Sequence, residues 1–483
     1  MRFRFYESFI VPGPFGESLK SIPPQERQAQ RSVKLILTDY FRLPECLIQS
    51  LPEPKLSGAS GFFSAGPEIV CYGQCASGVS ASFENHTLYD ASRDFHVNGS
   101  GISLSFDPGQ VVENLRRERY LGGLAPQRER MISKEWIRHA YYFVRELLPV
   151  PIRRHLQRAY FSDWKTRPFP AWPVDFTVER LHEKTLQLCM ESAGIEKVPF
   201  IWFWPEGAPS CLIMTHDVET AEGRDFTSNL MDLDASFGIK ASFQVIPEKR
   251  YEVPDEYVQE IKGRGFEFNI HDLNHDGHLY AEYPEFLSRA ARINGYVRRY
   301  QARGFRAGAM YRNPDWYDAF EFSYDMSVPN VAHLEPKRGG CCTVMPFFLG
   351  NIVELPLTAT QDYSLFYILN DYSIDLWKKQ LGLILENNGL MSFIAHPDYL
   401  IARKCRAVYT RLLDYLRGLV ETKNIWNPLP GDLDAWWRAR HRMKLVQCNG
   451  NWRIEGAGAE RARIAYAVLA DGRLRFQVEE KTS

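Results

Sequence analysis

At 483 residues, with 45% hydrophobic and 13% aromatic residues, the chain is too long for one ordinary core and too apolar for wholesale disorder. Its 58 Lys+Arg stand against 59 Asp+Glu, and a net charge of -1 excludes the broad basic field with which a protein captures nucleic acid.

The opening "MRFRFYESFIVPGPF" lacks an uninterrupted apolar run and a small-residue cleavage site, and no later stretch reaches about 18 apolar residues. The expected compartment is therefore the cytoplasm, with no integral membrane segment. The cysteines, with Cys71 and Cys75 four apart and Cys341 beside Cys342, match neither a disulfide framework nor a pair of zinc knuckles, and reduced thiols are expected.

Residues 1–127 carry short apolar runs, "SVKLILTDYF", "EIVCYGQC", "GVSASFEN" and "GISLSFDP", separated by Gly, Ser and Pro; this texture predicts a β-rich or mixed N-terminal domain. Residues 128–207 read as a helical connector and linker. Within them, 133–160 predicts two helices broken at Pro149 and Pro151, with a basic outer face or, alternatively, a face for a membrane or a lipid-linked substrate. The passage "WKTRPFPAWPVD" reads as an ordered linker.

From 208 to 430 strands alternate with helices. Strands are expected at 211–215, 240–246, 266–271, 305–311, 320–328, 352–357 and 390–396. An amphipathic helix is expected over 224–237, where Phe226, Leu230, Leu233 and Phe237 recur at helical spacing. The alternation predicts an α/β fold with a parallel sheet. So many strands in this span, without a G-x-G-x-x-G, favour a distorted (β/α)7 barrel whose working edge is the C-terminal ends of its strands. Residues 431–483 predict a small C-terminal unit, a helix at "DAWWRARHRMKL" followed by a β-hairpin turned at Asp471 and Gly472.

Three of the predicted strands run into polar tips. "CLIMTHDVE" ends in two acids, and alternation places Thr215, Asp217 and Glu219 on one face and His216 on the other. Paired carboxylates repel unless a cation or proton lies between them; the plainer alternative is that one caps the helix beginning near residue 222. "FEFNIHDLNHDGH" holds His271 and His275 four apart, a spacing that on a helical turn aims both imidazoles one way and suits zinc. His278 is expected to be a neighbour without a ligand's role. Two histidines and one carboxylate make a three-ligand catalytic set with a place left for water. "SFIAHPDYL" offers His396, whose imidazole titrates near neutral pH and could protonate a leaving amine.

In order and spacing, T-H-D-V-E, H-D-L-N-H, "GFRAGAMYRNPDWY", "FSYDMSVPN" and "IAHPD" resemble the motifs of the polysaccharide deacetylases, carbohydrate esterase family four, over about 208–430. The resemblance implies a distorted (β/α)7 barrel that hydrolyses N-acetyl or O-acetyl groups of sugars with a divalent metal, most often Zn2+, with Co2+ as an alternative. It implies Asp217 as catalytic base, Arg306 as its buttress, and His396 as catalytic acid. Glu219, His271 and His275 would be the metal ligands. An acetylated sugar or oligosaccharide would be the substrate, with a backbone N–H after Arg306 facing the oxyanion.

The chain departs from the family's commoner pattern. Its second acid is Glu219, one methylene longer than the usual aspartate, and Ala307-Gly308 follow Arg306 where a proline two residues on is usual, which makes Arg312 a rival buttress. For the fourth motif the nearest candidates are Asp375 and Trp377, also readable as an ordinary helix start. Two further readings stay open: hydrolysis of a small non-sugar amide on the same site, and a sugar-binding barrel without catalysis.

Overall fold

The structure, a computed structural model, describes residues 33–44, 56, 58–83, 88–98, 101–124 and 158–479. In chain order its strands are β1 (Ser60–Ser64), β2 (Val70–Gln74), β3 (His96–Asn98), β4 (Gly101–Ser103), β5 (Lys197–Ile201), β6 (Cys211–Val218), β7 (Ala241–Val245), β8 (Glu267–His271), β9 (Gly304–Arg306), β10 (Tyr324–Asp325), β11 (Phe347–Leu349), β12 (Ile352–Glu354), β13 (Leu390–Ile394), β14 (Lys444–Cys448), β15 (Asn451–Glu455), β16 (Ile464–Ala470) and β17 (Arg473–Val478).

β6 to β13 form one sheet in the order β11-β12-β10-β9-β8-β7-β6-β13, and only the β11·β12 pair is antiparallel. Such strands are covered on both faces, which is why β6 reads as an unbroken apolar run before its polar tip and every one of its residues is buried. Helices Ala221–Ser236, Asp255–Gly263, Tyr283–Tyr300, Asp375–Glu386 and Arg403–Lys423 alternate with the strands. The sheet curls as a distorted (β/α) barrel. Its far side closes by a seam of scattered bonds in place of a ladder: Leu390 N–H donates to the Val344 carbonyl (2.8 Å) and Ala359 N–H to that of Ser392 (3.1 Å). The Thr358 hydroxyl bridges the seam too, donating to the Leu390 carbonyl (2.7 Å) and accepting from Ser392 N–H (2.9 Å).

Several expectations need correction. "SVKLILTDYF" is a helix, Val33–Phe41, not a strand: Ile36, Leu37, Tyr40 and Phe41 bury one helical stripe, a period that outweighs the β-branched composition. Among its described residues, "GVSASFEN" contributes an isolated bridge at Ser80 and no strand. The strand expected over 305–311 stops at Arg306, and that over 320–328 shrinks to Tyr324–Asp325. β5 and β11 were not expected; β5 carries Pro199 and is an edge strand, in the order β17-β16-β5, where a proline is tolerated. Most of the helical stretch 133–160 lies outside the described residues. The hairpin turns at Asp471 and Gly472, both at positive φ as a two-residue turn demands.

The segment before the barrel is tied to the loop after β10. Asp175 N–H donates to Asn330 Oδ1 (2.8 Å), Asn330 Nδ2 donates to the Asp175 carbonyl (2.7 Å), and Val178 N–H reaches the Cys342 carbonyl (3.1 Å).

Candidate metal and hydrolytic centre

The C-terminal tips of β6, β8, β9 and β13 bring the expected residues together. Thr215 and Asp217 share a face of β6, and both touch one guanidinium: Arg306 Nη1 donates to Thr215 Oγ1 (2.8 Å) and Asp217 Oδ1 (3.0 Å), while its Nε donates to the Met326 carbonyl (3.0 Å). His216 faces the other way, held between the Ala395 carbonyl and Asp234, each at 2.8 Å. Neither acid caps the following helix. Thr220 does so, accepting from Gly223 N–H, and Gly223 lets Asp398 approach where a Cβ would lie 2.5 Å from its carboxylate.

Glu219 stands just past the end of β6, with its N–H bound to Asp398 (3.1 Å). Its Oε1 lies 3.2 Å from His275 Nε2 and 3.8 Å from His396 Nε2, and Asp217 Oδ2 lies 3.9 Å from His271 Nε2. One ligand atom from each of Glu219, His271 and His275 falls within 4.8 Å of the others. His271 ends β8, and its Nδ1–H faces the Arg306 carbonyl (3.1 Å), which turns Nε2 towards the centre. His275 is not carried on a helical turn as its spacing suggested. It sits in a loop with Asp272, both at positive φ, and this sharp reversal folds the ring back to 4.9 Å from that of His271. Gly308 makes room for it: a Cβ there would lie 2.5 Å from Asp272 Oδ2 and 3.0 Å from His275 Cδ2.

The donor set fits a divalent ion. His271 Nε2 and His275 Nε2 are buried without an aligned hydrogen-bond partner, a costly state for imidazole nitrogens unless their lone pairs have another use. Burial pushes His271 down to about 4, which keeps the ring neutral as a ligand must be. Burial disfavours the charge of Glu219, but His275 and then His396 and His271 hold its carboxyl well below the usual range. Burial likewise opposes the charge of Asp217, yet Arg306, followed by His271 and His396, keeps it a carboxylate.

His396 follows β13. Its N–H donates to Asp362 Oδ2 (2.8 Å) and its Nδ1–H to Asp362 Oδ1 (2.6 Å). Burial alone would discharge this ring, but Asp362, aided by Glu219 and Asp217, pushes it up to about 10. Asp362 is the residue that sequence reasoning missed. Asp375 only opens the helix Asp375–Glu386, and Trp377, buried, donates its indole N–H to the Thr360 carbonyl (2.6 Å), bracing the segment that leads to Asp362. Arg312 lies apart from Asp217; it is buried against Glu118 in a two-pronged pair, with Nε to Oε2 at 2.9 Å. Ala309 and Met310, between the two arginines, both take positive φ, a strained turn of the kind that functional loops retain.

No protein-family model matches the sequence, and no curated protein matches it. Solved structures do. A candidate polysaccharide deacetylase from Mycobacterium smegmatis is 16% identical with a TM-score of 0.41, the match covering 52% of this chain and 98% of that one. The allantoinase PuuE is 11% identical with a TM-score of 0.39, covering 49% and 92%. The carbohydrate esterase family four domain of a multidomain xylanase, from the hindgut metagenome of Trinervitermes trinervoides, is 12% identical with a TM-score of 0.32, covering 48% and 92%. Each of these matches covers about half of this chain, at low identity. Among the described residues no helix is long and apolar enough to cross a membrane.

Proposed function

We propose that this chain is a metal-dependent hydrolase of the cytoplasm that removes N-acetyl or O-acetyl groups from a carbohydrate. The observation that carries the reading is the meeting of Glu219, His271 and His275 between a buried carboxylate, Asp217, and a buried imidazole, His396. The acetyl and sugar parts of the reading come from the motif resemblance.

Glu219, His271 and His275 would hold the ion, Zn2+ by the chemistry of the donor set or Co2+ in its place; when bound, such an ion polarises a carbonyl and acidifies water. Arg306 pins one oxygen of Asp217 and leaves the other facing His271, so this carboxylate takes the proton of the attacking water. Ala307 N–H is engaged by Ser327 Oγ (2.8 Å), and the N–H groups of Met310 and Tyr311 bond back to the Ala307 and Gly308 carbonyls. The amide turned towards the oxyanion would then be that of Gly308 or Ala309. With Nδ1–H fixed on Asp362, His396 presents its Nε2 proton to the departing nitrogen or oxygen. Acetate and a free amino or hydroxyl group result.

The test combines metal content with product release. The full chain should purify with a divalent ion. His271→Ala should lose the ion, whereas Asp217→Asn should keep it and lose about a thousandfold in acetate release. Acetate from N-acetylglucosamine oligomers, measured against turnover of allantoin-like compounds, separates the sugar reading from the cyclic-amide one. A chain that binds glycan but takes up no divalent ion would leave only a sugar-binding barrel.

A further inference from the structure

The peptide that leaves β6, joining Val218 to Glu219, has both of its polar atoms taken by side chains from other loops. Tyr251, in the loop after β7, donates its hydroxyl to the Val218 carbonyl (2.6 Å) and accepts from Ile246 N–H (3.0 Å). Asp398, two residues beyond His396, accepts from Glu219 N–H (3.1 Å) with one oxygen and from the Thr220 hydroxyl (2.5 Å) with the other. One peptide plane is thus gripped at both ends, by the segment after β7 and by the segment after β13.

Secondary structure alone requires neither grip. The β6·β7 ladder has its last rung at Val218 and Val245, and the Tyr251 hydroxyl bridges the two strands one step past it. The helix Ala221–Ser236 is capped by Thr220, so Glu219 N–H comes before the cap and is not among the donors that a helix start leaves unpaired. The Asp398 carboxylate is nonetheless admitted there, against a helix residue, Gly223, whose Cβ would lie 2.5 Å from it. What sets this peptide apart is the side chain it carries. Asp217 is pinned through its carboxylate by Arg306, whereas Glu219 reaches His275 Nε2 (3.2 Å) over one more methylene and from beyond the end of the strand. A longer side chain has more rotamers to lose on binding an ion, and a rocking backbone would carry its oxygen away from the two imidazoles.

We propose that Tyr251 and Asp398 are positioning residues: they hold the peptide between Val218 and Glu219, and through it the Glu219 carboxylate, in the orientation that binds a divalent ion beside His271 and His275. The inference rests on the metal-centre reading of those three residues and goes beyond it in naming what sets the affinity. Neither Tyr251 nor Asp398 touches the ion; both act through one peptide. Partners that orient a ligand in this way are worth about 10- to 100-fold in metal affinity.

The experiment uses the full chain stripped with a chelator and measures Co2+ binding by competition with a chromophoric chelator, together with the Co2+ absorption spectrum. Tyr251→Phe, which loses only the hydroxyl, and Asp398→Ala should each weaken Co2+ binding about tenfold and alter the spectrum. Asp398→Asn, whose amide oxygen still accepts from Glu219 N–H, should stay within about threefold of the parent. All are measured far below their urea midpoints, where a loss of fold stability alone leaves the affinity unchanged. If Asp398→Ala does not fold, Tyr251→Phe decides. A parent chain that binds Co2+, with Tyr251→Phe and Asp398→Ala binding it equally tightly, would overturn the proposal and leave the metal centre standing. So would an Asn variant as weak as Ala, since the charge and not the tether would then set the affinity. A parent chain that takes up neither Co2+ nor Zn2+ would remove the metal centre and this inference with it.

Discussion

His396 keeps its proton chiefly because Asp362 faces it. Burial works against the imidazolium, and the carboxylate reverses that balance, raising the ring to about 10. A general acid must be protonated to act, so Asp362→Asn should lower the pH at which acetate release fails on the alkaline side, besides reducing kcat about a hundredfold. The pH–rate profile is the measurement, and an alkaline limb that stays in place would show that His396 is not the acid. Asp217, Glu219, His271 and His396 were legible in the sequence because each stands at or just beyond the end of an apolar strand, where a polar residue has no packing reason to be. Asp362 was not, because seven residues of irregular chain separate it from the end of β12 and nothing in "TATQDYS" has a ligand's spacing. The choice between Arg306 and Arg312 likewise required coordinates: both are arginines close to one turn, and only the location of Glu118 reveals that Arg312 is engaged elsewhere.

At the scale of elements, the helix Thr177–Ala193 carries a carboxyl where a core residue would be expected. Burial pushes Glu179 up to about 8, against the Thr343 hydroxyl and Arg116, and burial pushes Glu183 up to about 7. A carboxyl raised in this way binds its proton more tightly folded than unfolded. The stability it contributes is complete below the unfolded value of 4.5, declines as pH rises, and is gone above the folded value. Glu179→Gln should therefore flatten the decline, matching the parent at about pH 5 and exceeding it in urea midpoint at about pH 9. Equal midpoints at the higher pH would mean that the carboxyl is not protonated in the folded chain. The barrel strands and the C-terminal hairpin could be read from period and turn chemistry. The helix Val33–Phe41 could not, since a nine-residue stretch of Val, Ile, Leu, Thr and aromatics satisfies both periods until its partners are known. The loop from His271 to His275 misled for a different reason: a four-residue spacing implies proximity on a helix, and here two left-handed residues achieve the same proximity without one.

For the molecule as a whole, Glu118 joins the region before the barrel to the loop beyond β9. It receives Arg312 and the Gly340 N–H (2.7 Å), and Tyr120 donates to the Gly340 carbonyl (2.5 Å), all in buried surroundings. Removing one partner of a buried pair strands the other, so Glu118→Ala should cost about 3–5 kcal/mol in chemical denaturation. A loss below about 1 kcal/mol would mean that solvent reaches Arg312. The way the barrel closes has a consequence of its own. Asp217, His271 and Arg306 stand on β6, β8 and β9 of one continuous ladder, with Glu219 and His275 in the loops that follow β6 and β8, whereas Asp362 and His396 stand on opposite lips of the seam stitched by Thr358. In the proposed enzyme, breathing of those lips would part His396 from Asp362 while the side carrying Glu219, His271 and His275 remained shut, so on warming turnover would fade before a bound ion was released.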